Sequence, residues 1–268
     1  MKVDMHVHSK CSDGKKNFKQ ILEEAEMKKL EVLCITDHNK ILYNESLAEN
    51  SSVRIIKSVE LTVKSESCLN CKTPYLHLLG YGIKDSNMIN STMSALKQKN
   101  YDMYETLLPR FSLSKEEVLY YSNSGTITKT AIIRVLSDKY RKSYDYIEKE
   151  FFDVNNKYLI EKNFLTLQEG IELLHNAGGF VFAAHSYRPK YENMEEAMNI
   201  LKTQYGLDGI EVYYKPYMTD YKRKVGTLEY IAKNLNLYAS AGSDSHFDKV
   251  RNNMGVYVKA ELPILDLI

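Results

Sequence analysis

The first residues of the chain alternate between apolar and polar side chains. Apolar residues stand at positions 3, 5 and 7, while Asp4, His6 and His8 alternate with them. A period of two predicts a β-strand with one face in a core. Residues two apart on a strand point the same way and lie roughly 6.6 Å apart, so the two imidazoles can lean onto one metal ion. Such a pair also occurs on the polar face of ordinary strands, bonded to backbone or water.

Segments in which apolar residues recur at a regular spacing follow at both ends of the chain. Residues 17–29 predict a helix with one apolar face, and residues 166–179 predict another, with a Thr166–Glu169 capping box and a glycine pair at its end. A third helix is predicted over 221–235. Strands are predicted over 31–36, 52–62, 74–83, 180–185, 207–214 and 236–246. This alternation predicts an α/β fold with a mostly parallel sheet or barrel.

Residues 88–165 break the alternation. They carry helix signals over 91–108, 114–125, 128–140 and 143–154 and no convincing strand. We therefore predict three parts along the chain. Residues 1–87 form the first part of the barrel, 88–165 form a helical insertion that acts as a substrate lid, and 166–268 form the second part of the barrel.

Composition narrows the class of protein. The chain has 268 residues, enough for one large domain with an insertion, and a formal net charge of +1. A charge this small creates no overall electrostatic field that would attract the chain to nucleic acid or to a membrane surface. No secretory signal or membrane span is evident. The sequence indicates a cytoplasmic protein with no membrane association and no obligate protein partner, whose four cysteines are not a disulfide framework.

Six of the seven histidines fall on predicted strands or directly after them, together with three acids. In α/β barrels the carboxyl ends of the strands collect the active-site residues. Imidazole and carboxylate without thiolate suit Mn²⁺, Zn²⁺ or Fe²⁺, and nine groups are enough for two or three neighbouring ions. The candidate metal ligands are His6, His8, Asp13, His38, Glu60, His77, His185, Asp244 and His246. His175 lies in a predicted helix and is interpreted as an ordinary helix residue.

Six motifs in order resemble those of the polymerase-and-histidinol-phosphatase (PHP) superfamily. They are DMHVHSKCSDG, ITDHN, VELT, HLLGYG, AHS and GSDSH, within residues 1–87 and 166–268. The resemblance implies a distorted (β/α)₇ barrel with an inserted helical subdomain and a trinuclear metal centre at the carboxyl ends of the strands. The inserted block resembles that of stand-alone members that hydrolyse nucleotide or oligonucleotide phosphates.

The same resemblance implies a division of the ligands among three ions. His6, His8 and Asp244 would bind the first ion, and Glu60 would bridge the first ion to the second. The second ion would be completed by His77 and His185, and the third would be held by Asp13, His38 and His246. Asp4 and Asp37 stand next to ligands and either orient the imidazoles as hydrogen-bond acceptors or cap backbone.

The ligand set predicts a metal-assisted reaction on a phosphate ester. Clustered ions lower the pKa of bound water towards about 7, which gives a metal-bound hydroxide as nucleophile, and neutralise phosphoryl oxygens. No protein nucleophile, general acid or general base is identified. Arg188, three residues after His185, is the best candidate for phosphate binding, and Arg134 and Lys215 are weaker ones. A solvated loop arginine is the plain alternative for Arg188.

Four functions fit these observations. The first is a metal-dependent phosphoesterase acting on a nucleotide, a short oligonucleotide or a small phosphorylated metabolite. The second is a 3'-5' editing exonuclease of the polymerase type, which the absence of a polymerase domain disfavours. The third is an amidohydrolase, although no bridging lysine is identified. The fourth is a metal-binding regulatory module without catalytic activity, which the apparently complete ligand set disfavours.

Overall fold

The computed structural model of the chain describes residues 1–122, 127–152, 163–216 and 220–268. These residues form two compact units. The first comprises Met1–Ser91 and Phe164–Ile268, and the second comprises Thr92–Asn163. The assignment of residues 88–165 as a substrate lid stays a prediction.

The first unit is built on one eight-stranded sheet. The strands are β1 (Lys2–Val7), β2 (Val32–Ile35), β3 (Arg54–Lys64), β4 (Tyr75–Tyr81), β5 (Phe180–Ala183), β6 (Gly209–Tyr214), β7 (Tyr238–Gly242) and β8 (Val256–Tyr257). Their order in the sheet is β7-β6-β5-β4-β3-β2-β1-β8. Every strand that the sequence predicted is present, and β8 was not predicted.

The sheet curls so that the end of β1 lies next to the segment that follows β7. Val7 at the end of β1 forms a parallel bridge with Ser245, just past β7, and the His8 N–H donates to the Ser245 carbonyl at 2.9 Å. The α/β class and the distorted barrel predicted from the sequence are therefore confirmed. Two strands depart from a simple parallel barrel. The strand β4 runs antiparallel to both β3 and β5, and the short β8 runs antiparallel to β1.

Helices connect most of the strands of the first unit. The Thr166–Glu169 capping box is present at the start of the helix that it predicted, and Gly178 after its end has a φ of +78°, a conformation that glycine adopts without strain. An Asn17–Gln20 capping box starts the first helix. The helices are α1 (Phe18–Met27), α2 (Glu45–Glu49), α7 (Leu167–Asn176), α8 (Met194–Tyr205) and α9 (Tyr221–Asn234).

The described part of the second unit is helical. Its helices are α4 (Lys115–Tyr120), α5 (Lys129–Tyr140) and α6 (Tyr144–Phe152), and α3 (Ser86–Glu105) enters it from the first unit. They enclose an apolar cluster that includes Leu107, Val118, Ile132, Leu136 and Ile147. The predicted helical segments 114–125 and 143–154 end at residues that lie outside the described ones. Across the described residues, no helix is long and apolar enough to cross a membrane.

Candidate metal centre

The two histidines at the start of the chain lie side by side at the end of β1. Both are fully buried, and their Nε2 atoms are 3.2 Å apart. The alternating pattern of β1 explains this arrangement, since it turns both rings to the same side of the strand. The structure therefore brings the two imidazoles together as the sequence predicted.

Two carboxylates complete a first group around these rings. Glu60 comes from β3, and Asp244 follows β7. Asp244 Oδ1 lies 3.5 Å from His6 Nε2 and 3.2 Å from His8 Nε2. Glu60 Oε2 lies 3.3 Å from His6 Nε2 and 3.1 Å from His8 Nε2. Four side chains, from β1, from β3 and from the segment after β7, thus point their ligand atoms at one small volume.

These separations test whether the residues fit a metal ion. Two ligand atoms bound tetrahedrally at about 2.1 Å from one ion are themselves about 3.4 Å apart. The five distances of the first group lie between 3.1 and 3.5 Å. In addition, Glu60 Oε2 and His38 Nδ1 are buried and make no hydrogen bond within the described part of the chain, which is costly for a polar atom. The donor set and the unpartnered atoms both fit a divalent ion.

A second group surrounds the other oxygen of Glu60. His77 Nδ1 lies 2.8 Å and His185 Nε2 lies 3.1 Å from Glu60 Oε1, and the two nitrogens are 3.2 Å apart. Because Oε2 faces the first group and Oε1 the second, Glu60 has the geometry of a bridging carboxylate. The proposed bridge therefore has a structural basis, although the assignment of ligands to particular ions stays a prediction.

Strand direction explains how His77 reaches this group. It is the third residue of β4, so it lies near the amino end of its strand rather than the carboxyl end. Because β4 is reversed relative to β3 and β5, its beginning lies at the edge where those strands end or continue into loops. The sequence named His77 as a candidate, but the expectation that the candidates follow strand ends does not hold for it, nor for Glu60, which lies inside β3. The role of His77 as a ligand stays a prediction.

A third group lies beside the first one. His246 Nε2 is 3.1 Å from Asp13 Oδ2, His8 Nδ1 is 3.5 Å from Asp13 Oδ1, and His38 completes the group. Asp13 is half exposed, whereas His246 is buried. His38 also has its Nδ1 3.3 Å from Glu60 Oε2. It therefore stands between the second and third groups, and its assignment to a third ion stays a prediction.

Charges within the cluster perturb several pKa values. Burial alone would lower the pKa of His8, but the nearby carboxylates of Asp244 and Glu60 raise it to about 9. Burial lowers the pKa of His38 to about 4 and also lowers that of His185. Burial opposes ionisation of Glu60, yet the nearby His6 and the hydrogen bonds from imidazoles hold its pKa well below the usual range. Divalent ions require ionised carboxylates and neutral imidazoles, so an ion bound at His8 would displace the proton that the neighbouring carboxylates favour there.

Glu211 on β6 is a site residue that the sequence analysis missed. Its fully buried carboxylate lies with Oε1 2.9 Å from His6 Nδ1, and its Oε2 accepts the backbone N–H of His185 at 2.6 Å. His185 has a φ of +29°, an uncommon conformation for a residue with a side chain. The only sequence signal was an acid inside an otherwise apolar strand, GIEVYY, where a buried carboxylate requires hydrogen-bond donors.

The close approach of β7 and β1 at this point depends on Gly242. A Cβ atom at position 242 would lie 2.3 Å from the Cβ of His6 and 2.5 Å from Glu211 Oε1. Non-bonded heavy atoms in a packed core do not approach one another so closely. Glycine at the end of β7 therefore lets His6 and Glu211 share one layer of the barrel.

Asp4 and Asp37 cap backbone and hydroxyl groups. Asp4 accepts hydrogen bonds from the Ser243 N–H at 2.9 Å and from the Gly255 N–H at 2.6 Å. Asp37 accepts the Ser9 N–H at 2.8 Å. Between the two alternatives, the structure therefore favours capping, and these acids brace the loops that carry the ligands.

Arg188 lies at the edge of the first group. Its Nη2 donates to Asp244 Oδ2 at 2.7 Å, and Tyr214 Oη donates to the same oxygen at 2.7 Å. The guanidinium lies over the Tyr214 ring, 5.6 Å from its centroid. Its side chain is 46 % exposed, so it can face solvent and the cluster at once. Phosphate binding by Arg188 stays a prediction.

Other sequence candidates have local roles. Lys215 Nζ donates to the Asn253 and Gly255 carbonyl oxygens, both at 2.8 Å. Arg134 is exposed on α5 and donates to the Tyr121 carbonyl at 3.3 Å, and its contact with substrate stays a prediction. His175 Nε2 lies 2.8 Å from Asp208 Oδ2 on the outside of the cluster, which agrees with its interpretation as a helix residue.

Comparison with known proteins identifies sequence relatives across the whole chain. The PHP domain family matches residues 4–261. A phosphoribosyl 1,2-cyclic phosphate 1,2-diphosphodiesterase of Eggerthella lenta is 21% identical over 257 residues, which are 91% of this chain and 93% of that protein. A 5'-3' exoribonuclease of Haemophilus influenzae is 24% identical over 260 residues, 92% of this chain and 90% of that protein.

Solved structures share the fold. A protein of Bifidobacterium adolescentis described as a metal-dependent phosphoesterase has a TM-score of 0.60 and 22% identity, and the match covers 94% of this chain and 88% of that chain. An amidohydrolase of Chromobacterium violaceum has a TM-score of 0.58 and 20% identity, over 91% of this chain and 87% of that chain. At these identities the two likenesses describe the fold alone. With the barrel, the clustered imidazoles and carboxylates, and the family match over residues 4–261, the chain belongs to the PHP domain family of metal-dependent phosphoesterases.

Proposed function

We propose that this chain hydrolyses a phosphodiester bond in a ribose-containing substrate, either a nucleotide, a small phosphoribosyl metabolite or a short RNA. The observation that carries the phosphoesterase part is the convergence of five imidazoles, three buried and two partly exposed, on the two oxygens of Glu60, 2.8 to 3.3 Å away. Such a centre can hold more than one divalent ion at a single carboxylate. Two or three ions, with Mn²⁺, Zn²⁺ or Fe²⁺ as the suitable metals, match this donor set.

The residues of the centre divide into holding and orienting roles. The nine imidazole and carboxylate groups would hold the ions, and bound ions would supply Lewis acidity towards phosphoryl oxygens and lower the pKa of water. Glu211 fixes His6 through its Nδ1, so that Nε2 keeps its lone pair for a ligand bond. Arg188 would orient the phosphate with the part of its guanidinium that faces solvent, while Nη2 and Tyr214 keep Asp244 in position.

Two relatives support the ribose part of the proposal. The Eggerthella lenta diesterase and the Haemophilus influenzae exoribonuclease are both named for phosphodiesters attached to ribose. The near-neutral charge of the chain agrees with a short or small substrate better than with a long polyanion, which requires many cationic contacts.

A substrate panel tests the proposal. Wild-type protein is stripped with a chelator, reloaded with Mn²⁺ and offered a short RNA with a 5'-phosphate, the same sequence as DNA, a cyclic ribose phosphodiester, a nucleoside bisphosphate and histidinol phosphate. We expect turnover of at least one ribose phosphodiester and none by Glu60→Gln. Turnover of monoesters alone contradicts the ribose phosphodiester assignment. Failure of a fully loaded protein to hydrolyse any phosphate ester contradicts the phosphoesterase function.

A further inference from the structure

Residues 243–255, between β7 and β8, form a loop that carries two of the candidate ligands, Asp244 and His246, and we call it the ligand loop. Its backbone is strained at two positions, because Asp244 has a φ of +52° and Phe247 has a φ of +56°. Residues with side chains keep such conformations only where their surroundings hold them there. The contacts that fix the ends of this loop therefore bear on the positions of both ligands.

A buried carboxylate joins the two ends of the ligand loop. Asp4 on β1 accepts hydrogen bonds from the N–H and the hydroxyl group of Ser243, at 2.9 and 2.6 Å, and from the N–H of Gly255 at 2.6 Å. It is fully buried. The first and last residues of the loop are thereby tied to the strand that carries His6.

Lys215, directly after β6, is a second tie between the same two ends. Its backbone N–H donates to the Gly242 carbonyl, just before the loop, at 3.0 Å. Its Nζ donates to the carbonyl and the side-chain oxygen of Asn253 and to the Gly255 carbonyl, each at 2.8 Å. An ammonium has three protons, so each of them has an acceptor in the loop and none is left for a phosphate.

Gly255 links the two ties. Its N–H donates to Asp4, while its carbonyl accepts from Lys215. It can present both groups in these directions because its φ is +100°, a conformation that glycine adopts without strain. A carboxylate and an ammonium thus hold one turn of the loop from two sides, and none of these contacts uses the side chain of a candidate ligand.

We propose that Lys215 is a positioning residue of the metal centre, whose ammonium holds the ligand loop in the conformation that presents Asp244 and His246 to the ions. The inference rests on the proposed function and extends it to a residue that is not itself a ligand. When the conformation that binds is only partly populated, the apparent affinity falls by that fraction. Loss of the ammonium frees three oxygens at the end of the loop, so the loop leaves this conformation more often and ions bind more weakly.

Metal affinity tests the proposal. Calorimetric titration with Mn²⁺ compares wild type, Lys215→Met and Lys215→Arg. Lys202→Met is the matched control, because Lys202 Nζ also donates to two backbone carbonyls, those of Leu235 and Asn236, outside the ligand loop. We expect Lys215→Met to bind Mn²⁺ about 10- to 100-fold more weakly and Lys215→Arg to recover part of the affinity, since a guanidinium can donate to the same oxygens. The control should bind Mn²⁺ as wild type does.

Hydrogen exchange of chelator-stripped protein reports on the ligand loop without any metal. Peptides that cover residues 243–255 should exchange at least about 10-fold faster in Lys215→Met than in wild type or in Lys202→Met. Asn253→Ala removes one of the three acceptors and should show both effects to a smaller extent. This milder variant decides the matter if Lys215→Met does not fold.

Two results would overturn the proposal. Unchanged Mn²⁺ affinity in Lys215→Met, with only exchange or melting affected, would make Lys215 a structural residue. Unchanged affinity with a raised KM for a phosphate ester would assign Lys215 to substrate binding instead. Hydrolysis by wild type is scored separately, because protein that binds Mn²⁺ and hydrolyses no phosphate ester contradicts the phosphoesterase function, while the affinities of the variants still decide the role of Lys215.

Discussion

The carboxylate of Glu211 holds the imidazole of His6 through its Nδ1, with 2.9 Å between the two atoms. This contact leaves His6 Nε2 directed at His8 Nε2, Asp244 and Glu60. A strand that contributes no ligand, β6, thus sets the orientation of a ligand on β1. The same carboxylate accepts the backbone N–H of His185, so it acts on both the first and the second ligand group.

Replacing Glu211 by glutamine should weaken metal binding without removing any ligand. Glutamine has a single oxygen. If that oxygen keeps the His185 N–H, the amide nitrogen faces His6 Nδ1 and favours the tautomer with its proton on Nε2. Loss of such an orienting partner typically costs about 10- to 100-fold in metal affinity. Calorimetric titration with Mn²⁺ measures the affinity. Glu229→Gln is the control, because Glu229 also accepts one side-chain hydrogen bond, from Tyr213 at 2.8 Å. Equal affinity in Glu211→Gln and wild type would contradict the orienting role.

Glu60→Gln should impair metal loading and turnover together. The substitution keeps the shape of the side chain but removes the charge that faces both ligand groups, and an amide nitrogen in place of either oxygen cannot bind an ion. Metal analysis and initial rates on one preparation measure both effects. We expect loss of about one ion or more per chain and a fall in kcat of at least roughly 100-fold. Near-normal turnover would show that Glu60 does not bridge.

Arg188→Ala should separate substrate binding from metal binding. The variant loses one of two donors to Asp244 Oδ2, but Tyr214 remains on that oxygen at 2.7 Å, so metal content should stay near the wild-type value. We expect kcat/KM to fall by about 10- to 1000-fold, because charge-assisted hydrogen bonds to a phosphoryl group are worth roughly 1.5–4 kcal/mol. Arg188→Lys should recover only part of the loss, since an ammonium lacks the bidentate fork.

Two results contradict the role of Arg188. Unchanged kinetics in Arg188→Ala would mean that the arginine is a solvated edge residue. Loss of metal in that variant would mean that its pairing with Asp244, rather than its charge towards substrate, is what matters. The double variant with Tyr214→Phe measures how much of the orientation of Asp244 depends on each donor.

Metal removal should lower the thermal stability of the chain. Ions that bind the folded state alone stabilise it by about 2.7 kcal/mol at a hundredfold excess over Kd. For a protein of this size that corresponds to a fall in Tm of roughly 5–10 °C on chelation. Differential scanning fluorimetry with and without chelator measures the shift, and Glu60→Gln should show a smaller one. A wild-type Tm that is independent of chelator would mean that the ions contribute nothing to the folded state.

The sequence predicted the parts of this site that follow strand periodicity and motif order. The alternation in residues 3–8 correctly placed His6 and His8 on one side of β1, and the Thr166–Glu169 pair correctly marked the start of α7. Those features are local, because the period of a strand and the capping of a helix depend on residues a few positions apart. The family and the barrel followed from six motifs taken together.

Features that depend on contacts between distant strands could not be predicted from pattern. The reversed direction of β4, which brings His77 to Glu60, is a property of sheet topology. Glu211 lies 205 residues from its partner His6, and Arg188 lies 56 residues from Asp244. In the linear sequence Glu211 looked like one acid in an apolar strand. Its role became visible only when the folded chain supplied two donors to a buried carboxylate.

We propose above all that the cluster of imidazoles and carboxylates around Glu60 is a metal-dependent phosphoesterase centre. It is tested most directly by titrating chelator-stripped protein with Mn²⁺ and following hydrolysis of bis(4-nitrophenyl) phosphate at each equivalent. We predict a negligible rate without ion, a rise with bound Mn²⁺ to a plateau at more than one equivalent per chain, and no rise in Glu60→Gln. A rate that is independent of Mn²⁺, or a fully loaded wild-type protein that hydrolyses neither this ester nor any member of the substrate panel, would contradict the account.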